Sequence, residues 1–338
     1  MRPRSRIAKR HFAATARAAG DQRRHLKSLV VVLGTCYWAL GQTARAIEFY
    51  EQALAIAREI GDRRGEGANL GNLGICYLAL GQTSRAIEYL EQALAIAREI
   101  GNRRDEGSNL DNLGNCYSAL GQTSRAIEYY EQALAIFRAI GYRHGEGEAL
   151  GVLAEVFIDE GRYAEAIKLA QESAKIEDEI GEPASFGYGR IALAHFYLGN
   201  LPAAREAAET ARRHDIPANN HNVLALLGVI ALRQTDRPAA QEAFAAAVQQ
   251  AEQMLAHSAQ NYEALDAKGL ALSGLALCEG AQHVAVETLR RSVSTFRAAR
   301  VINKDTGIVK RVLRLFDELA KADAAGILQE VRAAAAGE

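Results

Sequence analysis

A block of about twenty residues returns at a forty-residue interval, and this recurrence restricts the fold more than any other feature of the chain. GQTARAIEFYEQALAIAREIG at 41–61 recurs at 81–101 and 121–141, and a weaker copy, GRYAEAIKLAQESAKIEDEIG, follows at 161–181. Residues 63–102 and 103–142 agree at 31 of 40 positions without a gap. An alanine series continues the register through Ala46, Ala86, Ala126, Ala166, Ala204, Ala240 and Ala285, at spacings of 40, 40, 40, 38, 36 and 45. A fixed period of this length means stacked supersecondary units, here seven, and not a closed globular core.

Each unit carries two helical patterns. In the first, Leu70, Leu73, Tyr77 and Leu80 form one stripe, and Gly81 follows as a C-cap-like residue. The second is expected to begin at Thr83 or Ser84, both good N-caps, and to bury Ile87, Leu90, Leu94 and Ala97. Small residues are needed where two helices approach closely, which accounts for Gly74 and Ala86. Only five prolines and one tryptophan interrupt an alanine-rich chain, as suits an all-α fold.

Leu73-Gly74, Tyr77, Gly81, Ala86, Leu90 and Ala93 fall where the tetratricopeptide repeat family places its signature residues. The lengthened unit, joined by GDRRGEG or GNRRDEG, resembles those of kinesin light chains, Pins-type adaptors and the sensor arrays of bacterial STAND-type signalling NTPases. The resemblance covers about residues 22–302 and weakens after 183, where Thr235 replaces the turn glycine. It implies an α-solenoid of about seven helix pairs in a right-handed superhelix with a concave groove. The expected units are 22–62, 63–102, 103–142, 143–182, 183–217, 218–258 and 261–302. Residues 1–21 read as a basic segment carrying a partial helical unit over 7–20, which suggests a longer parent chain with an upstream effector or NTPase domain. Residues 303–338 read as a capping helix, with Ile308, Val312, Leu315, Phe316 and Leu319 covering the last repeat, and a tail AAAAGE that frays.

The net charge of −1 hides an asymmetry: residues 1–27 carry nine Lys/Arg against one acid, and the rest carries 31 basic and 40 acidic groups. A globally basic nucleic-acid binder is excluded, although the N-terminal arm keeps nucleic acid as an alternative partner. No apolar run reaches the ~18 residues of a membrane span. Neither a phosphate loop nor an HExxH motif is present. His195 reads as a packed core residue, and His214 and His221 as exposed loop histidines. Cys36, Cys76 and Cys116 share one register on successive first helices. Stacked helices lie ~8–10 Å apart, whereas a disulfide needs Cα atoms within ~7 Å. Free thiols in a reducing cytoplasm are therefore expected, with no metal and no cofactor.

Repeats 2 and 3 differ at nine positions, four of which (Ala68/Ser108, Gly71/Asp111, Ile75/Asn115 and Leu78/Ser118) trace one stripe on the first helix. The family resemblance puts this stripe on the concave, ligand-facing side, and puts Asn72 and Asn112 where asparagine commonly holds a peptide backbone. Carried along the chain, the register offers apolar Val31, Trp38, Ile75 and Leu78. Next come Asp111, Asn115, Ser118, Glu148, Glu155 and Asp159, and then Phe186, Arg190, Phe196 and Tyr197. An acidic centre between apolar shelves suits a protein or peptide segment with basic residues between hydrophobic anchors. The junction arginines Arg63, Arg64, Arg103, Arg104 and Arg143 are expected to pair with neighbouring acids such as Glu66 and Glu106. The resulting reading is a non-enzymatic interaction scaffold, the sensor part of a bacterial signalling or defence protein. The alternatives are a regulator that closes on a small peptide and nucleic-acid binding through the basic arm.

Overall fold

A computed structural model describes the backbone of residues 4–279 and 283–338 and the side chains of 21–279 and 285–338. Among the described residues there are helices and no strand. They form seven consecutive pairs: α1 (Arg4–Ala39) with α2 (Thr43–Glu59), α3 (Arg63–Ala79) with α4 (Thr83–Glu99), α5 (Arg103–Ala119) with α6 (Thr123–Ile140), α7 (Arg143–Asp159) with α8 (Tyr163–Ile180), α9 (Ser185–Tyr197) with α10 (Leu201–Arg213), α11 (Pro217–Arg233) with α12 (Arg237–His257), and α13 (Tyr262–Glu279) with α14 (His283–Ile302). Two further helices, α15 (Thr306–Ala320) and α16 (Gln329–Ala336), complete the chain.

The turn inside each of the first five units follows from one glycine. Gly81 takes φ +66°, its N–H donates to the Leu78 carbonyl at 2.9 Å, and the Gln82 N–H donates to the Tyr77 carbonyl at 2.9 Å, so the last orphan carbonyls of α3 are satisfied. Thr235, at the same place in the sixth unit, holds φ +62° as a β-branched residue, a strained conformation. The expected N-caps of the second helices are corrected. Gln82 occupies the cap of α4 without a side-chain bond, while the Thr83 hydroxyl donates to the distant Asp305 carboxylate. In the second and third units the side-chain caps lie on the first helices, where Asp62 accepts from the Gly65 N–H at 2.9 Å and Asn102 from the Asp105 N–H; in the fifth and sixth units Asn200 and Asp236 cap the second helices α10 and α12.

Close packing of the two helices explains Gly74, since a Cβ there would lie 2.6 Å from Leu90 Cγ. At the first three junctions the second helix is riveted to the next first helix by a carboxylate held by two arginines. Glu66 receives Arg58 at 2.8 Å and Arg63 at 2.5 Å. Glu146 receives Arg138 at 2.9 Å and Arg143 at 2.6 Å. Burial opposes ionisation of Glu66 and Glu146, and the paired guanidiniums overcome it, leaving both below the ordinary carboxylate range. The junction arginines Arg63, Arg103 and Arg143 thus pair as expected; Arg104 instead stacks 4.2 Å from the Tyr142 ring centroid.

Three further expectations change. The segment 7–20 is not a separate half-unit but continues without a break into the first helix of repeat 1, because a glycine such as Gly20 permits a left-handed turn without compelling it. Its side chains, and with them most contacts of the basic arm, lie outside the described residues. At the other end, the AAAAGE tail does not fray: α16 packs on α14 and buries Val331, Ala334 and Ala335, so this last helix covers the end of the array. His221 is 1% exposed in the first turns of α11, not in a loop, and burial drives its pKa down to about 4. The four cysteines are free thiols, and burial raises those of Cys76 and Cys116 to about 12.

Candidate ligand groove

Successive first helices touch one another (α3 with α5, α5 with α7, α7 with α9, α9 with α11 and α11 with α13), so the array bends with its first helices on the inside. It bends far enough that the Ser258 hydroxyl, after α12, donates to the Gly41 carbonyl of the first unit at 3.3 Å. The chain then leaves α14 beside Gly81. Thr306 donates to the Leu120 carbonyl at 2.8 Å, and α15 runs across the inner face against α5, α11 and α13.

This crossing meets the acidic centre read from the sequence. Arg311 donates to Asp159 through Nε at 2.7 Å and to Glu155 through Nη1 at 2.8 Å, and its Nη2 reaches the Ser118 hydroxyl. Arg314 donates to Asp159 Oδ1 at 2.8 Å and to the Ile158 carbonyl at 2.7 Å, with its guanidinium 4.6 Å from the Tyr197 ring centroid. Glu155 is also 3.7 Å from Arg190. Burial works against the charge of Glu155, yet Arg311, Arg190 and Arg314 bring its pKa below the ordinary value. For Asp159 burial, with the field of Glu155, prevails over Arg311 and Arg314 and raises it. Four expected residues, Ser118, Glu155, Asp159 and Tyr197, therefore converge on two arginines that the sequence reading left aside.

The others divide. Asn72, Ile75 and Asn112 line a shallow pocket of about 180 Å³ between α3 and α5, together with Ala68, Gly71 and Ser108. Leu78 is half-buried against the core. Glu148 is exposed beside His144 at 3.5 Å. Asp111 lies close to Asn115, and burial raises its carboxyl to about 7. Two assignments are corrected. Phe196 is 3% exposed and belongs to the core, where it packs edge-on to Tyr197. Asn115 is not a free groove amide, because its Oδ1 accepts the Tyr130 hydroxyl at 2.8 Å. Repeat 1 repeats the arrangement with Thr35 and Tyr50 at 3.3 Å. Repeat 2, with Leu90 in place of the tyrosine, has Ile75 in place of the polar partner. Part of the variation along this stripe thus follows from the need to satisfy a buried hydroxyl.

Beyond the arginines, a cavity of about 430 Å³ remains between α7, α9, α11, α13 and α15. Its walls include Phe186, Arg190, Leu226, Glu263, Val312 and Leu315. Burial and the field of Glu155 raise the Glu263 carboxyl. At its edge Arg300 and Asp266 form a buried ion pair, and burial lifts Asp266 to about 6. Among the described residues no group of three or more His, Cys, Asp and Glu is placed to hold a metal, and no helix is long and apolar enough to cross a membrane. The missed residues had a signal: Arg311 and Arg314, at i and i+3, flank an apolar stripe in a segment without an acid between Asp305 and Asp317.

The chain matches the tetratricopeptide repeat family over residues 26–99, 105–179 and 190–254. The G-protein-signaling modulator 1 of Mus musculus is 37% identical over 62 residues, 18% of this chain and 9% of that protein, so the match spans less than a tenth of the relative's length. Among solved structures, the apo form of RapI is similar at a TM-score of 0.63 and 13% identity, covering 81% of this chain and 99% of that one. The Rap conjugation gene regulator of the plasmid pLS20, in complex with the Phr* peptide, is similar at a TM-score of 0.62 and 16% identity, covering 82% and 75%.

Proposed function

The chain belongs to the tetratricopeptide repeat family, and from that premise we propose that it is a non-enzymatic interaction module that takes a protein or peptide segment along its inner face. The observation that carries this reading is the seat of α15. An arginine-bearing amphipathic helix lies in the acidic centre and places Ile308, Val312 and Leu315 beside the apolar walls. The groove thus receives basic groups between hydrophobic anchors, the chemistry its own residues call for. The site comprises Asn72, Ile75, Leu78, Asp111, Asn112, Ser118, Glu148, Glu155, Asp159, Arg190 and Tyr197.

A sensor role in a larger signalling or defence protein, in the cytoplasm, accords with the free thiols and with the likeness in fold to Rap proteins. A second reading, closure on a short peptide, is favoured by the cavity roofed by α15 and by the peptide-bound Rap regulator. Panning of a random peptide display library on the immobilised protein tests both. Enrichment of basic segments with hydrophobic anchors, lost in Glu155→Lys, supports the groove; enrichment unchanged in that variant overturns it. Compaction in small-angle scattering on adding an enriched peptide distinguishes closure from open binding.

A further inference from the structure

We propose that α15 is a displaceable internal occupant of the groove, and that the partner is an amphipathic helical segment carrying two arginines at i and i+3 that takes its place on Glu155 and Asp159. This rests on the reading of the inner face as the binding surface. The polar match is specific: one guanidinium bridges Glu155, Asp159 and Ser118, and the second adds Asp159 and the Ile158 carbonyl. Such a fork geometry selects arginine over lysine.

The seat is nevertheless weakly held in comparison with the array. Of the 15 residues of α15 only Gly307, Phe316 and Leu319 are fully buried, whereas α7, with 17, buries eleven. Arg311 and Arg314 each retain 24% exposure, so their ion pairs remain partly screened by solvent. Segments with few buried apolar contacts open at the low end of a protein's stability range.

Release does not require the solenoid to break. The joint before α15 is tied to the tips of repeats 2 and 3 through Thr83–Asp305 and Thr306–Leu120. After α15, α16 is docked separately on α14. The segment between these anchors can leave the groove while both ends stay in place. An attached occupant competes at the effective concentration set by its tether, of order millimolar for short flexible linkers. A free segment of equal chemistry therefore binds the closed protein far more weakly than an emptied one.

The experiment uses a fluorescein-labelled peptide with the sequence of residues 303–321, added to the full chain and to Arg311→Ser/Arg314→Ser, with amide hydrogen exchange followed over 306–320. The expected result is at least tenfold tighter binding to the variant, and faster exchange of α15 in the wild type when excess peptide is present. Equal binding to both proteins with α15 exchange unchanged overturns the internal-occupant proposal and leaves the groove reading standing. Rapid α15 exchange in the variant with no peptide bound overturns the groove reading itself. If the variant fails to fold, the wild type with excess peptide decides alone: α15 amides as protected as those of α7 make it a structural cap.

Discussion

The pairing of Tyr130 with Asn115 yields the sharpest energetic test. Tyr130 is 1% exposed, its hydroxyl donates to Asn115 at 2.8 Å, and burial holds the phenol well above its ordinary pKa. Asn115→Ile, which copies repeat 2, removes the acceptor and strands a buried hydroxyl, a loss of about 1–3 kcal/mol. Tyr130→Leu alone removes ring atoms beside Gly114, whose position already lies against the ring, and adds a cavity cost of about 1–3 kcal/mol. The double variant reconstitutes the Ile75–Leu90 pair, so no hydroxyl is stranded, and the contact that Asp111 loses from Asn115 is lost equally in Asn115→Ile alone and cancels in the cycle. The expected coupling is at least about 1 kcal/mol in favour of the double variant. Urea unfolding followed by circular dichroism, with hydrogen exchange on repeat 3 to isolate the local term, measures the cycle. Additivity within about 0.3 kcal/mol would refute the claim that hydroxyl satisfaction couples these two variable positions.

Gly74→Leu should destabilise by about 1–3 kcal/mol through overpacking against Leu90, and Ser84→Ala by clearly less, because Ser84 caps nothing; equal melting midpoints would contradict the packing. His221 has a folded pKa of about 4 against 6.5 unfolded, so the unfolded chain binds more protons between these values. Stability should therefore fall by up to about 3 kcal/mol as pH drops from 6.5 to 4, a slope that His221→Leu should flatten in pH-dependent denaturant titrations. Thr235→Gly relieves a left-handed β-branched residue and should raise stability by about 1 kcal/mol in thermal melts. Alkylation of native protein should label exposed Cys36 quickly and buried Cys76 and Cys116 only after denaturation, with all three found as thiols by mass spectrometry.

The sequence by itself determined the units, because a helix pair is local. Every contact that makes α3 and α4 a hairpin joins residues fewer than forty positions apart, and the periods of Leu70, Leu73, Gly74, Ala86 and Leu90 record them directly. It also placed Ser118, Glu155 and Asp159 on one inner stripe, since identical units stack in identical register. The tertiary structure decided what faces that stripe. The ion pairs of Arg311 and Arg314 span 152 to 156 positions, and no repeat period encodes a contact made once. Local pattern likewise misassigned the end of the chain. An amphipathic stripe in α15 specifies that one face is buried but not against which surface, and the short alanine-rich tail became a docked helix only because α14 offered it an apolar partner. Asn115 makes the same point within one unit. Its variation was legible, but its cause lay fifteen residues away, in a hydroxyl that burial left with one place to donate.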